Sequence, residues 1–193
     1  MSFDLNRPTW IAARLAVSLV VLAVCLSAAG ARADESPAPA AASGLSSAPE
    51  FTVEGLDGKK YVLRDLLAKG PVLLDFWTTW CKPCLNELPE LDKLYQKYQE
   101  RGFTLLTIAS DDAKTLSKVK PMVKSRGFTF PVGTDPERKI GNAYSVRNYP
   151  TSYLIGRDGK ILSVAQGYRP GDEKKLEEEI VAALGPAPAG TDK

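Results

Sequence analysis

The chain of 193 residues contains no histidine, only two methionines and only three cysteines. Without an imidazole, the serine and cysteine protease relays, His-ligated zinc and CxxCH haem attachment are all excluded. A dominant charge is missing as well, since 25 Lys and Arg stand against 23 Asp and Glu. The small excess belongs to the first 33 residues, where Arg7, Arg14 and Arg32 oppose Asp4, and the remainder is formally neutral. That balance leaves no electrostatic footprint for nucleic acid. Hydrophobic residues make up 44% of the chain, enough to give one domain a sizeable core. No internal repeat is visible.

Residues 1–33 read as a secretory signal. Early arginines precede the apolar run Leu15 to Leu26, and Ala31-Arg32-Ala33 supplies the small residues of a cleavage site after Ala33. The alternative is an uncleaved membrane anchor, but the uncharged stretch Leu15 to Ala29 falls short of the ~20 residues that span a bilayer. Cys25 lies inside this segment and is a bystander. Residues 34–49, rich in Ala, Ser and Pro, read as a flexible linker. Residues 186–193 read as a disordered tail, which leaves 50–185 as the folded domain.

Within the domain, strand and helix patterns alternate. Glu50 to Glu54 and Lys60 to Leu63 flank Asp57-Gly58, a hairpin signal. Pro71 to Trp77 and Phe103 to Ala109 are apolar strands of a sheet covered on both faces. Between them Leu85, Leu88, Leu91, Leu94, Tyr95 and Tyr98 mark one helical stripe, with a kink expected at Pro89. The following stretch predicts a helix through Leu116, Val119 and Val123 to Gly127, a strand over Thr129 to Val132 and a helix over Pro136 to Tyr144. Thr151 to Ile155 and Ile161 to Ala165 bracket a second turn, Asp158-Gly159. Leu176, Ile180, Val181 and Leu184 mark a last helix ended by Gly185. The order predicts an α/β domain: a central mixed β-sheet flanked by helices, with an N-terminal β-hairpin and an inserted βα element.

The chemistry concentrates at Trp80-Cys81-Lys82-Pro83-Cys84. Two cysteines make no disulfide scaffold, and two without histidine complete no zinc site. A redox pair remains, and its position between a buried strand and a helix start favours a thiolate. Cys81, nearer the helix start, is the expected nucleophile; Cys84, one turn on, resolves the mixed disulfide. Lys82 adds a nearby positive charge, and Pro83 restricts the loop between the sulfurs. Asp75 interrupts the apolar run Val72 to Trp77, and alternation puts it on one face with Leu73 and Trp77. If that face is covered, burial raises its pKa and makes it a proton acceptor for Cys84.

These residues resemble the thioredoxin superfamily, in particular the exported TlpA/ResA-like thiol:disulfide oxidoreductases. The resemblance rests on the run Val72 to Cys84, on Tyr149-Pro150-Thr151, on Arg157-Asp158-Gly159-Lys160, on the Phe51 to Leu63 hairpin and on the inserted βα element, and it covers about Pro49 to Leu184. It implies a thioredoxin-like fold, a redox-active Cys81–Cys84 disulfide, and a cis Pro150 opposite the two cysteines. The Tyr149 backbone would then be free to pair with an extended substrate. Trp80, Tyr149 and Pro150 become the substrate-binding positions. Many relatives carry Asn or another residue where Asp75 stands. The cytochrome-maturation branch often has an acidic residue beside the proline, whereas Asn148, Tyr149, Thr151 and Ser152 are uncharged.

The expected activity is reduction of disulfides in protein substrates by an exported, periplasmic enzyme that is recharged by a membrane electron donor. Cytochrome c or copper-site maturation proteins are candidate partners. No cofactor or metal is expected. The alternatives are a disulfide-forming oxidase and a copper metallochaperone, for which Met122 offers no third ligand near the pair in sequence. A peroxidase is disfavoured, because the motif is C-x-x-C.

Overall fold

The computed structural model describes residues 46–186. The expected signal segment with Cys25, most of the linker and nearly all of the tail lie outside the described residues. The linker's last residues, however, belong to the fold. Ser47 bridges to Lys160, the Ala48 N–H donates to the Gly159 carbonyl at 2.8 Å, and Pro49 accepts from the Tyr144 hydroxyl at 2.8 Å.

The elements run β1 (Thr52–Glu54), β2 (Lys60–Val62), α1 (Leu63–Leu67), β3 (Val72–Trp77), α2 (Lys82–Tyr98), β4 (Thr104–Ala109), α3 (Val119–Arg126), β5 (Val132–Thr134), α4 (Lys139–Ala143), β6 (Thr151–Ile155), β7 (Ile161–Gln166) and α5 (Asp172–Leu184). A five-stranded sheet has the order β5-β4-β3-β6-β7; β3, β4 and β5 are parallel, while β6 is antiparallel to both β3 and β7. The β1–β2 hairpin forms its own sheet. This is the mixed α/β architecture expected from the pattern, and it agrees with the fold that the resemblance implied.

Strand alternation divides the core in two. Val72, Leu74 and Phe76 of β3 and Leu106 and Ile108 of β4 face one cluster with Val53, α1 and Ile140 of α4. Leu73 and Trp77 with Leu105 and Ala109 face the other, which contains Cys81, Cys84, Leu88 and Leu91 of α2, Val119 of α3 and Ile180 of α5. All six residues of β3 are buried, so the central strand reads as a continuous apolar run broken by Asp75 alone.

Both Asp-Gly turns form as their chemistry requires. Gly58 and Gly159 take φ of 77° and 78°, in the left-handed region that glycine tolerates without cost. In each turn the preceding aspartate accepts a backbone N–H two residues on, from Lys59 and Lys160 respectively, at 3.1 Å.

Several boundaries differ from expectation. Leu63 does not end the hairpin but opens α1, a five-residue helix too short to show a period. The strand expected over Thr129 to Val132 starts instead at Val132. Pro131 has no N–H to give a ladder, and Thr129 is bonded through its N–H and hydroxyl to Asp92. The helix expected from Pro136 begins only at Lys139, because Arg138 sits at φ 57° and breaks the helical path. A 3₁₀ turn over Leu116–Lys118 precedes α3, whose first turn accommodates Pro121. α2 continues through Pro89.

Candidate active site

β3 delivers the chain into Thr78-Thr79-Trp80, and α2 starts immediately afterwards. Cys81 is the N-cap of α2, with extended backbone at φ −82°, and its Sγ accepts the Cys84 N–H at 3.2 Å. Pro83 occupies the first turn, where its missing N–H has no intrahelical partner to lose. One turn along the same face lies Cys84, disulfide-bonded to Cys81 with Cα atoms 5.3 Å apart. Cys84 is fully buried, whereas Cys81 is 6% exposed. Both residues are buried, and Cys81, the one nearer the helix start, keeps slight access to solvent.

The loop before Cys81 is anchored by a residue that sequence reasoning missed. Asp111, buried just past β4, accepts the Thr79 N–H at 2.8 Å and also the Thr79 hydroxyl. The Cys81 N–H donates to the Thr78 carbonyl at 3.2 Å, and the Ser110 N–H to the Trp77 carbonyl at 2.8 Å. Backbone and carboxylate together hold the β3–α2 junction against the end of β4.

Trp80, Cys81, Lys82, Pro83 and Tyr149 line one open groove of about 620 Å³. Trp80 is 65% exposed and meets Tyr149 edge to face, with ring centroids 6.0 Å apart. The Tyr149–Pro150 peptide is cis. Pro150 is buried, and its carbonyl accepts the Gly167 N–H at 2.8 Å. Lys82 is exposed at the first position of α2.

Asp75 does not reach this groove; it lies beneath α2, fully buried. Ser152, its partner in the β3–β6 register, donates its hydroxyl to Asp75 Oδ1 at 3.0 Å, and Oδ2 has no hydrogen-bond partner among the described residues. Burial pushes the Asp75 carboxyl up to about 7, against the Ser152 hydrogen bond, which pulls it down.

A second buried carboxyl, Glu87, was not anticipated. It lies three residues past Cys84 on the same face of α2, 5% exposed, with Oε2 unpartnered among the described residues. Burial pushes its pKa well above the carboxylate range, and the charges of Asp75 and Asp172 push it further. The sequence held one available signal: the buried residues of α2 are Cys84, Glu87, Leu88, Leu91, Asp92, Leu94 and Tyr98, while Leu85 and Tyr95 are only half-buried. Centring the stripe on Cys84 instead of Leu85 includes Glu87. A cleft of about 270 Å³ opens on this side, lined by Glu87, Ser152, Asp172 and Glu173.

Among the described residues no cluster of three or more Cys, Asp or Glu side chains is arranged to hold a metal ion. Met122 is half-buried on α3 and packs against the same apolar cluster as the cysteines.

Residues 45–164 match the family model described as the AhpC/TSA family. The thiol-disulfide oxidoreductase ResA of Bacillus anthracis is 46% identical over 115 residues, 60% of this chain and 65% of that protein. The chain therefore spans just under two thirds of that relative's length. ResA of Bacillus thuringiensis subsp. konkukian is 42% identical over 133 residues, 69% of this chain and 74% of its own. Among solved structures, a thiol:disulfide interchange protein of the thioredoxin family from Chlorobium tepidum TLS superposes with a TM-score of 0.63 at 29% identity, covering 73% of this chain and 97% of that one. The exposed lipoprotein thioredoxin of Streptococcus pneumoniae superposes with a TM-score of 0.59 at 31% identity, covering 68% and 99%. The family match extends over more than half of the sequence, and with the likeness in fold it assigns this chain to the AhpC/TSA family of thioredoxin-like proteins.

Proposed function

We propose that this chain is an exported thiol:disulfide oxidoreductase that reduces disulfides in polypeptide substrates. The observation that carries the reading is the Cys81–Cys84 pair at the α2 N-terminus, bordered by the exposed Trp80 and by Tyr149. The names of the ResA relatives support it.

In the proposed cycle the Cys81 thiolate attacks a substrate disulfide. One Cys81–substrate bond forms, the substrate S–S bond breaks, and the leaving sulfur departs as a thiolate. Negative charge on Cys81 is favoured by the helix dipole and by the Cys84 N–H that points at its sulfur. Cys84 then gives up its proton and attacks the Cys81 sulfur, restoring the intramolecular disulfide and releasing the second substrate thiolate. Two electrons pass from the dithiol to the substrate. Asp75 is the proposed acceptor of the Cys84 proton, since burial holds its carboxyl near neutrality. Glu87 and Ser152, which line a neighbouring cleft, mark the proposed route of that proton to solvent. Trp80, Tyr149 and Pro150 hold the substrate segment, and Lys82 and Pro83 tune the pair.

Export rests on the N-terminal signal pattern, with an uncleaved anchor as the alternative. In an oxidising compartment a reductase needs electrons delivered across the membrane, so a membrane thiol donor is the proposed partner. Cytochrome c or copper-site maturation proteins are further candidate partners.

The test is to express Cys84→Ser in the native cell and isolate what stays linked to Cys81. Mixed disulfides that disappear in Cys81→Ser support the cycle; identical backgrounds refute it. Equilibration with glutathione sets the direction: a potential near about −270 mV fits a reductase, and one near about −120 mV fits a disulfide-forming oxidase. Stoichiometric copper uptake without disulfide exchange would instead favour the metallochaperone alternative.

A further inference from the structure

The groove around Cys81 carries positive charge from three separate elements. Lys82 comes from the first turn of α2, Arg138 from the residue before α4, and Arg147 from the loop leading to Pro150. None of the three forms an ion pair among the described residues. The lining sets these three cations against one carboxylate, which keeps its charge. Asp112, the groove's single acid, turns Oδ1 back to its own loop, accepting the Lys114 N–H at 3.0 Å, the Thr115 N–H at 3.1 Å and the Thr115 hydroxyl at 3.2 Å. Asp111 is bonded to Thr79, and Glu137, adjacent to Arg138, pairs with Lys139.

Arg138 is also held in position. Its backbone sits at φ 57°, uncommon for a residue with a side chain. One guanidinium nitrogen, Nη2, donates to the Val146 carbonyl at 2.9 Å, and Cζ lies 5.7 Å from the centroid of the Tyr149 ring. Nε is buried without a partner among the described residues. A guanidinium has five N–H donors in a planar fork suited to carboxylates, and here it rests against a tyrosine that borders the redox pair.

We propose that this groove selects polypeptide disulfides whose reactive cysteine is flanked by aspartate or glutamate, with Arg138 and Arg147 as specificity-determining residues. The inference rests on the oxidoreductase reading above and adds its substrate class. The cations act on encounter and orientation, drawing carboxylates toward Cys81 and fixing them by charge-assisted hydrogen bonds. The bonds broken and formed at sulfur are those of the cycle already described. A polypeptide fits better than a small anionic disulfide because the Trp80–Tyr149 pair provides an apolar contact surface beside the charges.

The test uses the full reduced chain with three oxidised substrates: a disulfide-looped peptide flanked by glutamates, the same peptide flanked by lysines, and glutathione disulfide. The glutamate peptide should react at least about ten-fold faster than the lysine peptide at roughly 0.02 M ionic strength, and the ratio should close toward one near roughly 0.5 M. Arg147→Glu, at an exposed position, should invert the preference, and joint Arg138→Gln and Arg147→Gln should lower it several-fold. Equal rates for the two peptides, or a ratio indifferent to salt, overturn charge selection while leaving the oxidoreductase reading intact. A preference confined to glutathione disulfide overturns the polypeptide assignment. Failure to reduce any of the three removes the underlying reading, and the proposal with it.

Discussion

Ser152 and Asp75 stand opposite each other in the β3–β6 ladder, 77 residues apart in sequence, and the serine hydroxyl donates to the carboxyl at 3.0 Å. That bond satisfies one oxygen of a carboxyl that the core otherwise isolates from water. The other oxygen is unpartnered among the described residues, and Glu87 adds a second acid to the same side of the sheet.

The pair makes stability depend on pH with a definite sign. Unfolded, Asp75 loses its proton near 3.8; folded, burial holds it to about 7. Between those values the folded state binds more protons, so stability of the oxidised protein falls as pH rises from about 4 to about 7, by at most about 1.4 kcal/mol per pH unit for this group, and levels off above. Glu87, also raised, acts with the same sign. Asp75→Asn should give a shallower profile in urea unfolding across that range. Parallel profiles for the two proteins would show that Asp75 ionises normally in the fold.

Replacing Glu87 by leucine removes a buried acid with an unsatisfied oxygen and fills the space with apolar atoms. The expected result is a gain in stability on the order of 1–2 kcal/mol at neutral pH, together with slower resolution of the mixed disulfide. Chemical denaturation and stopped-flow release of a trapped peptide measure the two effects. A loss of stability would indicate that Glu87 has a favourable partner.

Asp111→Ala should be costly although the residue touches neither sulfur. It leaves the Thr79 N–H and hydroxyl without acceptors in a buried site, for about 2–4 kcal/mol. Asp111→Asn keeps one acceptor oxygen and should recover part of that loss. Equal melting temperatures for the alanine variant and the parent would refute the anchoring role.

Trp80→Ala separates binding from folding. With 65% of its surface exposed, the residue adds little to the core, and the change in stability should stay within about 0.5 kcal/mol. Reduction of a polypeptide substrate should lose about ten-fold in kcat/KM, mainly through KM. A variant that reduces insulin as fast as the parent would remove Trp80 from the substrate surface.

What was legible in the residues was local. The Asp57-Gly58 and Asp158-Gly159 turns follow from glycine's freedom at positive φ and the short reach of the aspartate side chain. The Cys81–Cys84 spacing follows from one helical turn. α1 escaped because a five-residue helix with Leu63, Leu66 and Leu67 is too short to display a period. β5 was misplaced because Thr129 to Val132 looks like a strand, while Pro131 and the Asp92–Thr129 hydrogen bonds delay the ladder to Val132.

Sequence alone was sufficient for the α/β order, the Cys81–Cys84 pair and the isolated acid in the central strand, since each depends on neighbours within a turn or a strand. Only the folded chain decides that Ser152 meets Asp75, that Asp111 anchors Thr79, and that Arg138 and Arg147 line the same groove as Cys81. Those contacts depend on β6 pairing with β3 rather than with its sequence neighbour β5, and on loops converging at one end of the sheet. Such proximity is set by burial of the two strand faces across the whole domain, and no local pattern of residues encodes it.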